Sequence, residues 1–91
     1  MNFGNTSKPN YWYQVVIEPK GTTLVGSSPL NEADFVRCLE TQKFILLENL
    51  YFKDGEHNFH DWKVWNPHTF GSMYINTNSI ASLEVMSGKP V

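Results

Sequence analysis

Cysteine is almost absent. Cys38 is the single one in 91 residues, which excludes an internal disulfide and a thiolate zinc site within one chain. Its expected role is that of a small buried hydrophobe. No apolar run approaches the about 18 residues that a membrane span needs, and no basic-then-apolar segment opens the sequence as a secretion signal would. The expectation is a soluble protein of a reducing compartment, the cytoplasm, with no membrane partner. Asn5-Thr6-Ser7 fits the glycosylation pattern and, without a secretion signal, reads as chance. Charge of one sign is scarce too. Seven basic residues face nine acidic ones, the formal charge is −2, and no like-charge run exceeds two residues. A general nucleic-acid coat is basic, so a nucleic-acid role would have to rest on a local patch or on a patch repeated around an oligomer. Catalytic signatures are also missing: there is no phosphate-binding glycine-rich loop, no nucleophile elbow and no metalloprotease helix. The expectation is a protein that is not an enzyme and carries no cofactor.

Aromatic residues, by contrast, are plentiful: three Trp, four Tyr and six Phe. With a length that suits one small domain, this favours a packed β fold over a disordered chain. A domain this small is often marginal alone, and oligomerisation is one way to add burial. Residues 1–10 read as a loose arm, 11–86 as the folded domain and 87–91 as a polar tail.

The densest apolar stretch is Lys43 to Phe52. Phe44 to Leu47 are apolar at four successive positions, which predicts a central strand buried on both faces at its start and wet on one side from Glu48. Before it, Tyr11 to Glu18 alternates with aromatic and β-branched residues and reads as a strand. Glu18-Pro19-Lys20-Gly21 supplies a turn, and Thr22 to Val25 returns, ended by Gly26. Ser28 and Pro29 suit a helix start, acidic residues follow, and Phe35, Val36 and Leu39 share one side. A short helix over 29–40 is therefore favoured over an extended run through Phe35–Leu39. After the central strand comes a polar excursion over 53–70, in which Trp62-Lys63-Val64-Trp65 can extend a strand. Ser72 to Asn76 and Ile80 to Met86 read as strands around the tight connector Thr77-Asn78-Ser79. In the last, Ala81, Leu83 and Val85 are placed on one face. The fold class expected is all-β: a small, bent, five-stranded barrel with one short helix, closure removing the sheet edges.

His57, His60, Asp61 and His68 fall within the 53–70 excursion. Imidazole and carboxylate are metal-ligand chemistry, but the spacing matches no metal motif and polar loop residues are the ordinary reading, so no metal is expected. Phe59, Trp62, Trp65 and Phe70 interleave with them, either covering the barrel end or forming an exposed aromatic surface for a partner or nucleic acid, core or subunit-contact use being the favoured reading.

Residues 13–26, Tyr-Gln-Val-Val-Ile-Glu-Pro-Lys-Gly-Thr-Thr-Leu-Val-Gly, resemble the opening of an Sm-like (LSm) domain: an alternating strand, a glycine turn and a strand ending in a second glycine. Phe44-Ile45-Leu46-Leu47-Glu48-Asn49 is similar to the family's long middle strand. Met73-Tyr74-Ile75-Asn76-Thr77-Asn78-Ser79-Ile80 is similar to its second motif, where two strands meet at a very short turn. The resemblance spans about residues 11–86. It implies a bent Sm-like or SH3-like barrel that assembles as a homo-oligomeric ring, the fourth strand of one subunit pairing with the fifth of the next. It further implies binding of single-stranded nucleic acid, RNA foremost, in RNA processing. The contacts would come from Lys43 and Phe44 before the middle strand and from Asn76, Thr77 and Asn78 at the last turn. Two departures stand out. Asn76 and Thr77 occupy the positions where many members carry Arg-Gly, and a missing arginine removes a charge-assisted contact and a stacking plane. The 29–40 helix is the other. Phe44 as a stacking residue and the Asn side chains as donors and acceptors offer a substitute. The ordinary roles of these residues are core for Phe44 and turn-forming for Asn. The rival expectation is a structural or protein-interaction module built on the same barrel, docking a partner through the 53–70 aromatics.

Overall fold

The computed structural model describes residues 10–90. Residues 1–9 of the expected arm, the Asn5-Thr6-Ser7 pattern and Val91 of the expected tail lie outside them. The described residues form six antiparallel strands and a ten-residue helix. In order these are β1 (Tyr11–Ile17), β2 (Thr22–Ser28), α1 (Glu32–Thr41), β3 (Phe44–Lys53), β4 (Phe59–Asp61), a single helical turn α2 (Trp62–Trp65), β5 (Met73–Asn76) and β6 (Ile80–Met86). Short 3₁₀ turns at Pro67–Thr69 and Thr77–Ser79 lead into β5 and β6. No helix among the described residues is long and apolar enough to cross a membrane.

Alternation makes β1 and β2 a hairpin in register from Tyr11↔Ser28 to Ile17↔Thr22. Gly21 takes the positive φ of 72° that the turn requires. β2 does not stop at Gly26. It runs on to Ser28 because this glycine lies where β2 crosses the bend of β3: a Cβ there would meet Leu47 Cβ at 2.9 Å, Leu50 Cδ2 at 3.0 Å and the Glu48 carbonyl at 3.2 Å.

The helix starts three residues later than its sequence signals suggest. Asn31, not Ser28, is the N-cap, its Oδ1 accepting from the Asp34 N–H at 2.9 Å. Ser28 Oγ instead accepts from the Leu30 N–H at 3.1 Å. Phe35 is fully buried and stacks on Tyr13, ring centroids 4.0 Å apart and planes 16° from parallel. Tyr13 Oη donates to the Leu30 carbonyl at 2.6 Å, so one side chain ties β1 to the helix approach. Burial, with the Glu32 carboxylate second, pushes the Tyr13 phenol above its ordinary value. Cys38 and Leu39 pack against the same core, while Val36 is exposed.

β3 is the organising strand, but its burial runs opposite to the expected order. Its first half, Phe44–Leu47, pairs with β5 alone. Ile45 and Leu47 are buried, Leu46 is partly buried and Phe44 is 51% exposed. Beyond a kink at Asn49 (φ 53°) the second half runs between β2 and β4, and Leu50 and Tyr51 are both buried. The register with β2 shifts by one residue across this kink. Ser27 fixes it: its Oγ donates to the Glu48 carbonyl at 3.2 Å and accepts from Asn49 Nδ2 at 2.9 Å.

The remaining expectations need correction in three places. Trp62–Trp65 forms a helical turn rather than a strand, because the Asp61 carboxylate accepts from the Lys63 N–H at 3.1 Å and caps it. In β6 the alternation breaks at a bulge opposite Val16 and Ile17, where Ile17 pairs with Ile80 and Val16 with Ser82. The bulge takes Ala81 off the face it would share with Leu83, and it is exposed; Leu83 packs on the core, while Val85, on the same face as Leu83 near the strand end, is exposed. Finally, the sheet is open. The strand path runs β4-β3-β2-β1-β6 with β5 on β3, so among the described residues β5 and β6 each have one strand neighbour and their outer edges are unpaired.

Candidate nucleic-acid interface

The start of β3 and the turn between β5 and β6 are more than thirty residues apart in sequence and adjacent in space. Phe44 pairs with Asn76. The Thr77 N–H donates to the Lys43 carbonyl at 2.9 Å. Thr77 Oγ1 donates to the Gln42 carbonyl at 2.6 Å and lies 3.2 Å from that of Lys43. The five residues singled out from sequence thus form one tip, with different roles. Thr77 is buried and is the fastener. The Asn76 carboxamide oxygen accepts from the Asn78 N–H at 2.9 Å and caps the 3₁₀ turn, which is the turn-forming role of Asn. Lys43, Phe44 and Asn78 remain exposed.

The core role for Phe44 is not found. Register partners in a ladder point to the same face and alternate residues share it, so Phe44, Leu46, Tyr74 and Asn76 lie together on the outer face of the β3–β5 ribbon. Tyr74 is 70% exposed. Sequence reasoning missed it, although its signal was available: in Met73-Tyr74-Ile75-Asn76 the aromatic falls on the side opposite buried Ile75. The tip therefore presents two aromatic rings, one ammonium group and one free carboxamide. These suit stacking on unpaired bases and contact with phosphate or base edges.

The His/Asp excursion does not assemble. Among the described residues no three His, Cys, Asp or Glu side chains come together as a metal site. His57 and His68 are exposed, and Asp61 is the helical cap. His60 Nε2 donates to Asp54 Oδ2 at 2.7 Å. Asp54 Oδ1 also accepts the N–H groups of Glu56 (2.8 Å) and Asn58 (2.9 Å), closing the β3–β4 hairpin. The His60 hydrogen bond, and then that of the Asn58 N–H, hold the Asp54 carboxyl down at about 2. His60 stacks on Phe52 at 5.1 Å, and Trp62 and Trp65 meet Phe52 edge-on at 6.1 and 5.9 Å. The excursion is thus a hydrogen-bonded aromatic hairpin. Phe59 and Trp62 are partly buried, whereas Val64, Trp65 and Phe70 are exposed.

An apolar groove of about 280 Å³ runs beside β5, lined among others by Ile17, Leu24, Trp62, Met73 and Ile75. Trp62 Nε1 is buried without an acceptor among the described residues. No protein-family model, curated protein or solved structure matches this chain.

Proposed function

We propose that this chain is an Sm-like module, its bent sheet open among the described residues, that self-associates edge to edge and binds single-stranded nucleic acid, RNA foremost, at the Lys43–Phe44–Asn78 tip. The observation that carries the reading is the tip itself. Thr77 fastens two distant loops through the Gln42 and Lys43 carbonyls, which leaves the Lys43, Phe44 and Asn78 side chains free on one exposed surface beside Tyr74. These are the two loops that carry bases in the family the sequence resembles. Self-association rests on the edges of β5 and β6, unpaired among the described residues, and on the apolar groove beside β5; unpaired edges are templates for pairing with a second chain. In a ring, one lysine per copy forms a positive collar although each chain carries −2. The setting is cytoplasmic RNA metabolism, without catalysis.

Light scattering on a sizing column gives the assembly, and titration with a short oligouridine at two salt concentrations tests the site. The expected outcome is a mass several times the 10.5 kDa chain and an affinity that falls with salt as lysines release counterions. Lys43→Ala with Phe44→Ala should weaken binding by roughly tenfold or more, since one stacked base is worth about 1–3 kcal/mol. A monomer would refute the edge pairing, and an unchanged affinity in the double variant would refute the tip.

A second reading, a protein-docking module, is favoured by one observation: Val64, Trp65 and Phe70 are exposed on the same excursion. It predicts a partner whose binding is insensitive to salt and to Lys43.

A further inference from the structure

On the face of the sheet opposite the core, a second cavity of about 340 Å³ opens between β1, β3 and the segment that follows α2. Its lining includes Trp12, Tyr51 and Phe70, the ammonium-bearing Lys63 and Lys89, and Asn49. Nothing in the tip reading uses these residues. We propose that this cradle binds one nucleoside monophosphate, the base between aromatic rings and the phosphate on the two lysines.

The rings are arranged for it. Tyr51 is buried and Trp12 partly so, with ring centroids 6.3 Å apart and planes at 52°, which makes them the floor. Phe70 stands at the rim with 88% of its surface exposed. It is also held at φ 54°, in the left-handed region that a bulky residue rarely adopts. Hydrogen bonds on both sides keep it there: its N–H donates to the Pro67 carbonyl at 3.3 Å, and the Leu50 N–H to the Gly71 carbonyl at 2.9 Å. Glycine or asparagine would take that backbone more easily, and a polar side chain would suit the exposure. A phenylalanine held in an unfavourable backbone and set into water contributes nothing to the chain's own packing. Such residues collect at ligand sites. Asn49, at φ 53°, and Gly71, at φ 78°, line the same cavity, so three positive-φ residues frame it.

Charge and size narrow the ligand. The ion pairs among the described residues are Arg37–Asp34 and His60–Asp54, which leaves Lys63 and Lys89 without a carboxylate partner there. Asp61, also in the lining, accepts from the Lys63 backbone N–H, so two ammonium groups stand against one carboxylate. An anion that carries a planar aromatic ring is the complement. The volume lies at the low end for small-molecule sites, which run from about 300 to 1,000 Å³, and this suits a single nucleotide rather than a dinucleotide or a peptide. A free nucleotide and one residue of a strand offer the same base and phosphate chemistry, and the oligoadenosine arm of the test tells them apart. The cradle shares no lining residue with the tip and stands or falls without it.

The test is an amide-resolved NMR titration of the full chain with adenosine monophosphate, adenosine and a short oligoadenosine. The monophosphate should give saturable shifts at Asn49, Phe70, Gly71 and the Trp12 indole. Adenosine should bind roughly tenfold more weakly, the difference being the phosphate. Phe70→Gly is the decisive variant: it relieves the backbone, so the melting temperature should hold or rise, yet it should weaken the monophosphate roughly tenfold or more. Lys63→Ala with Lys89→Ala should remove the advantage of the monophosphate over adenosine. A tighter oligoadenosine with shifts at the same amides assigns the source to a strand; equal affinity assigns it to the free nucleotide. The Lys43→Ala/Phe44→Ala variant should still bind the monophosphate, which separates this site from the tip. Absence of these shifts at millimolar ligand, or unchanged binding in a stably folded Phe70→Gly variant, overturns the proposal.

Discussion

The two halves of β3 are similar in composition and opposite in surroundings. Phe44–Leu47 has a single neighbour, β5, and keeps one face wet, with Phe44 and Tyr74 projecting from it. The stretch beyond the Asn49 kink lies between β2 and β4, and Leu50 and Tyr51 are buried on opposite faces. The difference is one of neighbours, not of residue type. An apolar run reports that a segment packs against something; the number of strands and layers around it decides how many faces are covered. The half with fewer neighbours retains surface for other molecules, and it is the half that meets the tip turn.

The largest expected contrast comes from truncating the covered half. Leu50 is fully buried, and Leu50→Ala should cost roughly 2–5 kcal/mol, read as a lower urea midpoint with an unchanged slope. Next is the bend that separates the halves. Gly26→Ala places a methyl group 2.9 Å from Leu47 Cβ and 3.2 Å from the Glu48 carbonyl. Neither is the free end of a flexible side chain, so overpacking should cost about 1–3 kcal/mol, a melting point lower by at least about 4 °C for a domain of this size.

A smaller effect concerns the hairpin that leaves the covered half. The Asp54 carboxyl sits at about 2 in the folded chain against an ordinary 3.8. A depressed carboxylate contributes stability that is complete above its unfolded value and lost as pH falls from 3.8 toward about 2. Asp54→Asn should therefore flatten the acid limb of a plot of melting temperature against pH in that window. An acid limb identical to that of the parent would show that the hairpin does not depend on this carboxylate. The smallest stability effect belongs to the wet half: Phe44→Ala should change stability by no more than about 0.5 kcal/mol. A loss comparable to that of Leu50→Ala would mean that the first half is covered in solution, as by a second copy, and would erase the contrast.

Much of the scaffold was legible in the chain itself. Alternation from Tyr11 to Ile17 gives β1, the glycine turn gives its hairpin partner, and the long apolar run gives β3. The cap and spacing signals around 28–39 place a helix there, though not which cap is used. Asn31 won over Ser28 because the Ser28 hydroxyl is taken by the Leu30 N–H. Phe44, Lys43, Asn76, Thr77 and Asn78 were legible as a set, and they do meet. Tyr74 was legible in principle from alternation. The cradle was not, because Trp12, Asn49, Tyr51, Phe70 and Lys89 belong to separate segments, and no local pattern relates them.

The sequence by itself determined the elements that rest on local physics: strand periodicity, the glycine turn, the helix and the tight connector at Thr77–Ser79. These depend on side chains and backbone within a few residues of one another. Only the tertiary structure decided which half of β3 is dry, that Trp62–Trp65 coils, that β5 and β6 keep free edges among the described residues, and that Thr77 reaches Gln42 and Lys43. Each of those outcomes depends on groups brought together from distant positions, and burial is a property of what surrounds a residue rather than of the residue.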